Sequence, residues 1–338
     1  MALNKSNLIE LAALLGLLAA CGPAARPINP VQTAMAATLA ARPPASPTPL
    51  FTATAEPDAP PPGKIAYVCQ ISKRSARNQI CLINADGSGQ RVLTTGGNYD
   101  DFFPSVAADG ASVLFASNRT GRYQLYEIDL ITNLVSQLTY LTQDSAYAPT
   151  ASPNNTHIVF YAIRDGASSP GNHNLWIAER DGSNPTQITS RPGGAWDPVW
   201  SPDGTRILFA SEVSGVAQLF IIDADGSDAR QVTDLPGIRG RNDWSADGVT
   251  LTTYIGFAWD RDIYVFDTNG ENLRQLTDGL NNLAPSFSPD GNWITFMSYR
   301  DHPQQDLGCE IYIMRIDGSD ARRLTDNDIC DWQPRWGP

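Results

Sequence analysis

The chain has 338 residues, of which 42% are hydrophobic, and it carries a formal net charge of −12 with a sequence pI near 4.6. That much apolar material allows one large or two ordinary domains. The acidity argues against a nucleic-acid partner, which needs a basic stripe to displace counterions, and against direct binding to anionic lipid.

From the N terminus, residues Leu8 to Ala20 are mostly apolar, follow the basic Lys5 and end in Leu18-Ala19-Ala20-Cys21-Gly22. The run is shorter than the roughly 20 residues that cross a bilayer as a helix, and Glu10 interrupts it. It reads as a secretory signal over 1–20 with a small-residue cleavage site. The tetrapeptide ending at Cys21 looks like a bacterial lipobox, which implies an acylated cysteine at the mature N terminus; an ordinary signal with an incidental cysteine is the other reading. Residues 21–62 turn to Pro, Ala and Thr and close on Pro60-Pro61-Pro62. Such a segment lacks the apolar surface to offset chain entropy and reads as a disordered or polyproline-like tether. The expected location is the extracytoplasmic side of a bacterial membrane, held there by the lipid anchor only.

From residue 63 the sequence repeats itself. The clearest copy is Pro198-Val199-Trp200-Ser201-Pro202-Asp203-Gly204, and the position of Pro202 recurs as Ala108, Pro153, Ala246, Pro289 and Pro338. The intervals along the chain are 45, 49, 44, 43 and 49 residues, the spacing of propeller blades. After each copy comes a short alternating strand, Val113/Phe115, Ile158/Phe160, Ile207/Phe209, Leu251/Thr253 and Ile294/Phe296, with Ile65/Tyr67 at the start of the repeat region. Period two with β-branched and aromatic residues predicts half-buried strands. A third strand follows, from Ile80–Ile83 in the first copy to Ile311–Met314 in the last. Turns such as Asn84-Ala85-Asp86-Gly87 and Ile316-Asp317-Gly318-Ser319 then reverse the chain, because Asp-Gly supplies the positive φ of tight hairpins. Outer strands end in Leu93-Thr94, Leu138-Thr139, Ile188-Thr189, Val232-Thr233, Leu276-Thr277 and Leu324-Thr325.

With the Pro-x-Trp stretch as inner strand, each copy is a four-stranded antiparallel blade. The first copy lacks an inner strand, and Gln333 to Gly337 is an inner strand with no blade of its own. Joining the two closes the ring and removes exposed edges. The prediction for 63–338 is an all-β, six-bladed propeller closed by its C-terminal strand. The pattern Pro-x-Trp-Ser-Pro-Asp-Gly, Ile-x-Phe, Leu-Tyr, Asp-Gly-Ser and Arg-Leu-Thr resembles the repeat of the TolB-like propeller family. That resemblance implies the fold and leaves function open, since one architecture carries many jobs. The sequence ahead of the repeats differs from TolB itself, with a tether and a lipid signal where TolB has an α/β domain.

Apart from Cys21, the cysteines are Cys69, Cys81, Cys309 and Cys330, an even number in an exported chain. Three pairings are possible. Cys69 closes one strand and Cys81 opens the next, while Cys309 opens a strand and Cys330 leads into the closing one, so Cys69–Cys81 and Cys309–Cys330 are favoured. Together they would brace the first and last blades. No paired C-x-x-C spacing supports a zinc site. His157, His173 and His302 stand at no metal-ligand spacing and read as surface or loop histidines, so no metal and no other cofactor is expected. The run Asp223-Ala224-Asp225-Gly226-Ser227-Asp228 has its glycine too early for a calcium loop and reads as a hairpin turn.

Strand direction puts the Asp-Gly and Ser-Pro-Asp-Gly turns on one face and the variable loops on the other. The variable face carries Tyr99, Asp100, Asp101, Tyr147, Trp196, Asp197, Arg239, Arg241, Trp259, Asp260, Asp331 and Trp332. Aromatic and charged side chains near a central channel are what a binding mouth offers. Tyr147, Trp196 and Trp332 occupy equivalent positions and could equally pack between blades, whereas Arg239 and Arg241 break the repeat. The expected function is a non-catalytic envelope scaffold or binding module for a protein, peptide or glycan. The alternative is a hydrolase or lyase acting on envelope or extracellular polymers with a carboxylate-only site, such as Asp100, Asp101 and Asp197.

Overall fold

The computed structural model describes residues 61–72, 75–164, 172–190, 192–303, 305 and 307–338. The signal, Cys21 and the tether up to residue 60 lie outside the described residues. Among the described residues, twenty-four strands form six four-stranded antiparallel sheets. Blade 1 combines β1 (Lys64–Ser72), β2 (Ser75–Asn84) and β3 (Arg91–Val92) with β24 (Trp332–Gly337). Blade 2 is β4 (Asp101–Val106), β5 (Ser112–Ser117), β6 (Gln124–Asp129) and β7 (Val135–Gln137). Blade 3 is β8 (Asp144–Ala151), β9 (His157–Arg164), β10 (His173–Glu179) and β11 (Thr186–Gln187), and blade 4 is β12 (Trp196–Trp200), β13 (Arg206–Ser211), β14 (Gln218–Asp223) and β15 (Arg230–Gln231). Blade 5 is β16 (Asp243–Trp244), β17 (Thr250–Phe257), β18 (Asp260–Asp267) and β19 (Arg274–Gln275), and blade 6 is β20 (Asn282–Phe287), β21 (Trp293–Ser298), β22 (Glu310–Arg315) and β23 (Arg322–Arg323).

Burial is deepest in the second strand of the blades and lowest at the outer edge. Of the second strands, β5 and β21 are buried at every residue, whereas the outermost β11, β15, β19 and β23 are exposed at both of theirs. The half-buried alternation expected of the second strands is therefore replaced by burial on both faces. The cause is stacking: the core clusters join side chains from adjoining blades, as when Val113 and Phe115 pack with Ala66, Val68 and Ile80.

The repeated motifs are repeated hydrogen bonds. In every blade the threonine two residues past the outer strand accepts from the third strand's backbone at the same offset. Ile80, Leu125, Leu175, Leu219, Ile263 and Ile311 donate to Thr94, Thr139, Thr189, Thr233, Thr277 and Thr325 at 2.9 to 3.0 Å. The polar residue just before the donor then clamps the loop to the next blade, as Gln218 holds both the N–H and the C=O of Leu235. In the Ser-Pro-Asp-Gly turn, Ser201 Oγ donates to Asp203 and accepts from the Arg206 N–H. In the Asp-Gly-Ser turns, Asp86, Asp225 and Asp317 each accept from the serine two residues on, and these bonds hold their carboxyls below the usual range.

Closure follows the expected register. Strand β24 pairs antiparallel with β1, with Lys64 opposite Gly337, Ile65 opposite Trp336 and Ala66 opposite Arg335. Trp336 Nε1 donates to the Pro62 carbonyl at 2.8 Å, so the fold takes hold of the chain at residue 62. Gly63 has φ +92°, and a Cβ there would overlap the Gly337 carbonyl oxygen, so the seam requires glycine. Both expected disulfides are present, with Cα–Cα distances of 5.9 Å for Cys69–Cys81 and 4.6 Å for Cys309–Cys330. Cys69 and Cys81 do not flank a loop as expected. They sit inside two longer paired strands, with Tyr67 opposite Cys81 and Cys69 opposite Gln79. All four cysteines share one core cluster with Ile65, Tyr67, Ile311 and Trp336, which spans the first and last blades.

Candidate functional site

Each inner strand carries the same irregularity near its start. Phe103, Ala148, Asp197, Arg241, Ala284 and Gln333 adopt left-handed backbone conformations, with φ between 49° and 54°. In blades 1, 2, 3, 4 and 6 the pairing slips at this point. Such a bulge bends the strand and re-aims its side chains. Here it brings four of the six together at the axis. The Phe103 N–H donates to Gln333 Oε1 at 3.0 Å, and the Arg241 N–H donates to Asp197 Oδ2 at 2.9 Å. The Arg241 guanidinium donates to the Gln333 carbonyl at 3.2 Å and lies 5.3 Å from the centre of the Phe103 ring. Blade 5 stands opposite blade 2 in the ring, so Arg241 spans the channel. Two residues further along the strands, Arg335 donates to the Asn242 carbonyl at 2.9 Å and pairs with Asp243 at 3.2 Å. Asp243 in turn accepts from Ser286 Oγ at 2.7 Å and from the Phe287 N–H at 2.8 Å. Two guanidiniums thus floor the mouth of the channel.

The residues just before the bulges are Phe102, Tyr147, Trp196, Gly240, Leu283 and Trp332. With side chains from neighbouring strands and loops, the aromatic ones form an unbroken arc on the variable-loop face. Its centroid separations are 5.6 Å for Trp332 to Phe102, 5.9 Å for Phe102 to Tyr123 and 5.0 Å for Tyr123 to Tyr147. They continue at 5.4 Å from Tyr147 to Tyr161, 5.9 Å from Tyr161 to His173 and 6.1 Å from His173 to Trp196. The contacts are tilted or edge-on except for the stacked Tyr147–Tyr161 pair, and together they fix the rings in place.

Blade 5 breaks the pattern. Its inner strand is only two residues long, and the segment before it carries Arg239 and Arg241 around Gly240. A Cβ at Gly240 would come within 2.5 Å of Asp197 Oδ2 and 2.7 Å of Trp196 Nε1, so glycine admits both groups. Trp196 Nε1 donates to the Arg239 carbonyl at 3.4 Å, and the Arg239 guanidinium lies 5.5 Å from the Phe257 ring centre. Tyr254 stands within electrostatic reach of Arg261, Asp197, Arg241 and Arg239, and burial pushes its hydroxyl up to about 12. Burial, then the neighbouring Arg335, pulls Arg241 down to about 10, which leaves it charged at neutral pH. Burial also lowers His173, which favours the neutral imidazole.

Comparison with known sequences settles the family. The sequence profile of the TolB beta propeller domain (PD40) matches residues 146–303 and 228–338, more than half of the chain. The chain belongs to the TolB β-propeller family. TolB from Acinetobacter baumannii superposes with a TM-score of 0.70 at 22% identity, covering 82% of this chain and 67% of that one. A putative TolB from Agrobacterium tumefaciens superposes with a TM-score of 0.61 at 18% identity, covering 82% of this chain and 99% of that one. Both are likenesses of fold. An uncharacterised protein of Agrobacterium fabrum is 35% identical over 150 residues, 44% of this chain, and the match spans about half (48%) of that relative.

The residues expected from sequence fall into two groups in this TolB-type propeller. Tyr147, Trp196, Asp197, Arg239, Arg241 and Trp332 gather around the mouth as described. Trp259, 38% exposed, stands edge-on to Tyr299 at 4.9 Å, and Asp260 opens β18 beside it. The rest are engaged in the framework. Asp100 accepts from Arg77 at 2.9 Å and twice from Asn78 at 3.0 Å. Asp101 is fully buried and pairs with Arg119 at 3.2 Å, and that guanidinium lies 4.6 Å from the Tyr99 ring centre. Asp331 is buried at the seam, where Asn327 donates to it at 2.8 Å. Burial, then the nearby Glu310, pushes its carboxyl up to about 7.

Phe102, Phe103, Tyr123, Tyr161, His173, Tyr254, Arg261 and Gln333 were not legible as site residues. His173 is the first residue of β10 and a member of the arc; the expected loop there is strand. The available signal was positional: Phe102-Phe103 and Trp332-Gln333 precede a proline as Trp196-Asp197 does. His157 lies on the opposite face, 3.8 Å from Glu179. Among the described residues no three His, Cys, Asp or Glu side chains gather as a metal site.

Proposed function

We propose that this chain is a binding module of the bacterial envelope that receives a protein, peptide or glycan at its variable-loop face. The observation that carries this reading is the aromatic arc from Trp332 to Trp196 around a channel mouth closed below by Arg241 and Arg335. Held rings offer flat apolar area at little entropic cost, which is how binding surfaces are built. Two disulfides fit an oxidising, extracytoplasmic compartment. The lipobox-like Leu18-Ala19-Ala20-Cys21 supports tethering through an acylated Cys21, with residues 22–62 as spacer.

The test is a screen of the full chain on peptide and glycan arrays, repeated with Trp196→Ala/Trp332→Ala. The reading expects defined binders whose signal drops at least tenfold in the double variant. Binders that are indifferent to both tryptophans would refute the proposed face. For the tether, Cys21→Ser should abolish incorporation of an alkyne palmitate analogue and release the protein from the membrane fraction.

A further inference from the structure

Blade 5 gathers three arginines at one mouth, in a chain whose net charge is −12. Neither Arg239, Arg241 nor Arg261 forms an ion pair with a described carboxylate, whereas Arg77, Arg119, Arg180 and Arg335 each pair with an acid. Arg261 pairs across β17–β18 with Gly256, whose N–H donates to the Gly237 carbonyl at 3.2 Å two residues before Arg239, and the Arg239 charge works against that of Arg261. Arg261 Nε is buried and has no hydrogen-bond partner. The acid in this group is Asp197, whose Oδ2 takes the Arg241 backbone N–H while its Oδ1 is buried and unpartnered. Unpaired buried donors and acceptors cost free energy, and clustered like charges add to that cost, so a group that supplies an anion and a donor together would relieve both.

We propose that this cluster binds a carboxylate of an acidic peptide segment, whose chain then lies along the aromatic arc. The inference rests on the binding-face reading and adds the ligand's chemistry. A guanidinium matches a carboxylate in a two-bond fork, and a peptide offers Asp197 Oδ1 a backbone N–H close to its acid. Tyr, Trp and Arg are the residues that dominate protein-recognition hot spots, and all three meet here. Because Arg241 and Arg335 cross the channel, the acid enters from the variable-loop face and stops on the Arg241 guanidinium.

Calorimetric titration of the full chain with three probes tests this: triglutamate, triglutamine amide and trigalacturonate. Arg239→Gln/Arg261→Gln is the test variant; Arg241 stays because it also holds Gln333 and Phe103. Triglutamate should bind the native chain at least tenfold more tightly than the neutral amide. The preference should vanish in the double variant, return in part in Arg239→Lys/Arg261→Lys, and leave the thermal midpoint of the free glutamine variant unchanged or raised. Equal affinity for the two peptides, an unaffected glutamine variant, or no binding by triglutamate overturns the inference. Tighter binding of trigalacturonate overturns the peptide assignment in favour of an acidic glycan. If the neutral amide binds as well as triglutamate but weakens in Trp196→Ala/Trp332→Ala, the binding face stands and only the anion site falls.

Discussion

A single threonine position shows how far sequence reading reaches at the scale of residues. The Leu-Thr and Val-Thr pairs mark strand ends in the sequence, but period and composition say nothing about Oγ1. In the fold each hydroxyl takes a buried backbone N–H, and Thr233 also donates to Gln218 at 2.7 Å. Thr233→Val keeps the shape and strands the Leu219 N–H, so it should cost about 1–3 kcal/mol in denaturant unfolding. Asp331 carries a different expectation. A carboxyl whose folded pKa, about 7, exceeds its unfolded value of 3.8 stabilises the fold while protonated. Its contribution is full below about pH 4 and is lost as the pH rises through 7. Asp331→Asn should therefore flatten the decline in stability between pH 4 and 7 and raise the unfolding midpoint at pH 7; an unchanged pH profile would contradict this.

At the scale of elements, periodicity revealed the strands and register revealed the closure, because both depend on local pattern and chain order. The bulges were invisible. Nothing in Phe103, Ala148 or Gln333 marks a left-handed conformation, and φ near +50° at a residue other than glycine is imposed by the inner strand's packing round the axis. Since these bulges assemble the mouth, the sequence showed which loops face it and not which side chains meet. Tyr161 and Tyr254 stand next to Phe160 and Thr253 with nothing in the period to single them out, yet both lie within electrostatic reach of Asp197 and Arg241. The disulfides were legible because even count and strand position constrain pairing. Cys309–Cys330 closes a separation of 21 residues at the seam, so Cys309→Ser/Cys330→Ser should lose on the order of 3 kcal/mol, read as a lower denaturant midpoint. A reductant should lower the native chain's midpoint further than the variant's.

For the whole molecule, the ring separates framework from function. The face of Asp-Gly and Ser-Pro-Asp-Gly turns repeats the same local bonds, from Asp86–Ser88 to Asp317–Ser319, and varies little from blade to blade. The other face departs from symmetry: aromatics occupy the pre-bulge position in blades 1 to 4, and blade 5 substitutes a glycine flanked by arginines. Closure through β24 holds these unlike loops at fixed distances, which no blade could do alone. The central claim is that this asymmetric face is where the molecule meets its partner. The most direct measurement is photo-crosslinking in intact cells, with a benzophenone amino acid placed at Arg239 or Trp259 on the variable-loop face and at Ile131 or Leu134 on the other. Defined adducts from the first pair and none from the second are the predicted result; adducts from Ile131 or Leu134 alone would contradict the account.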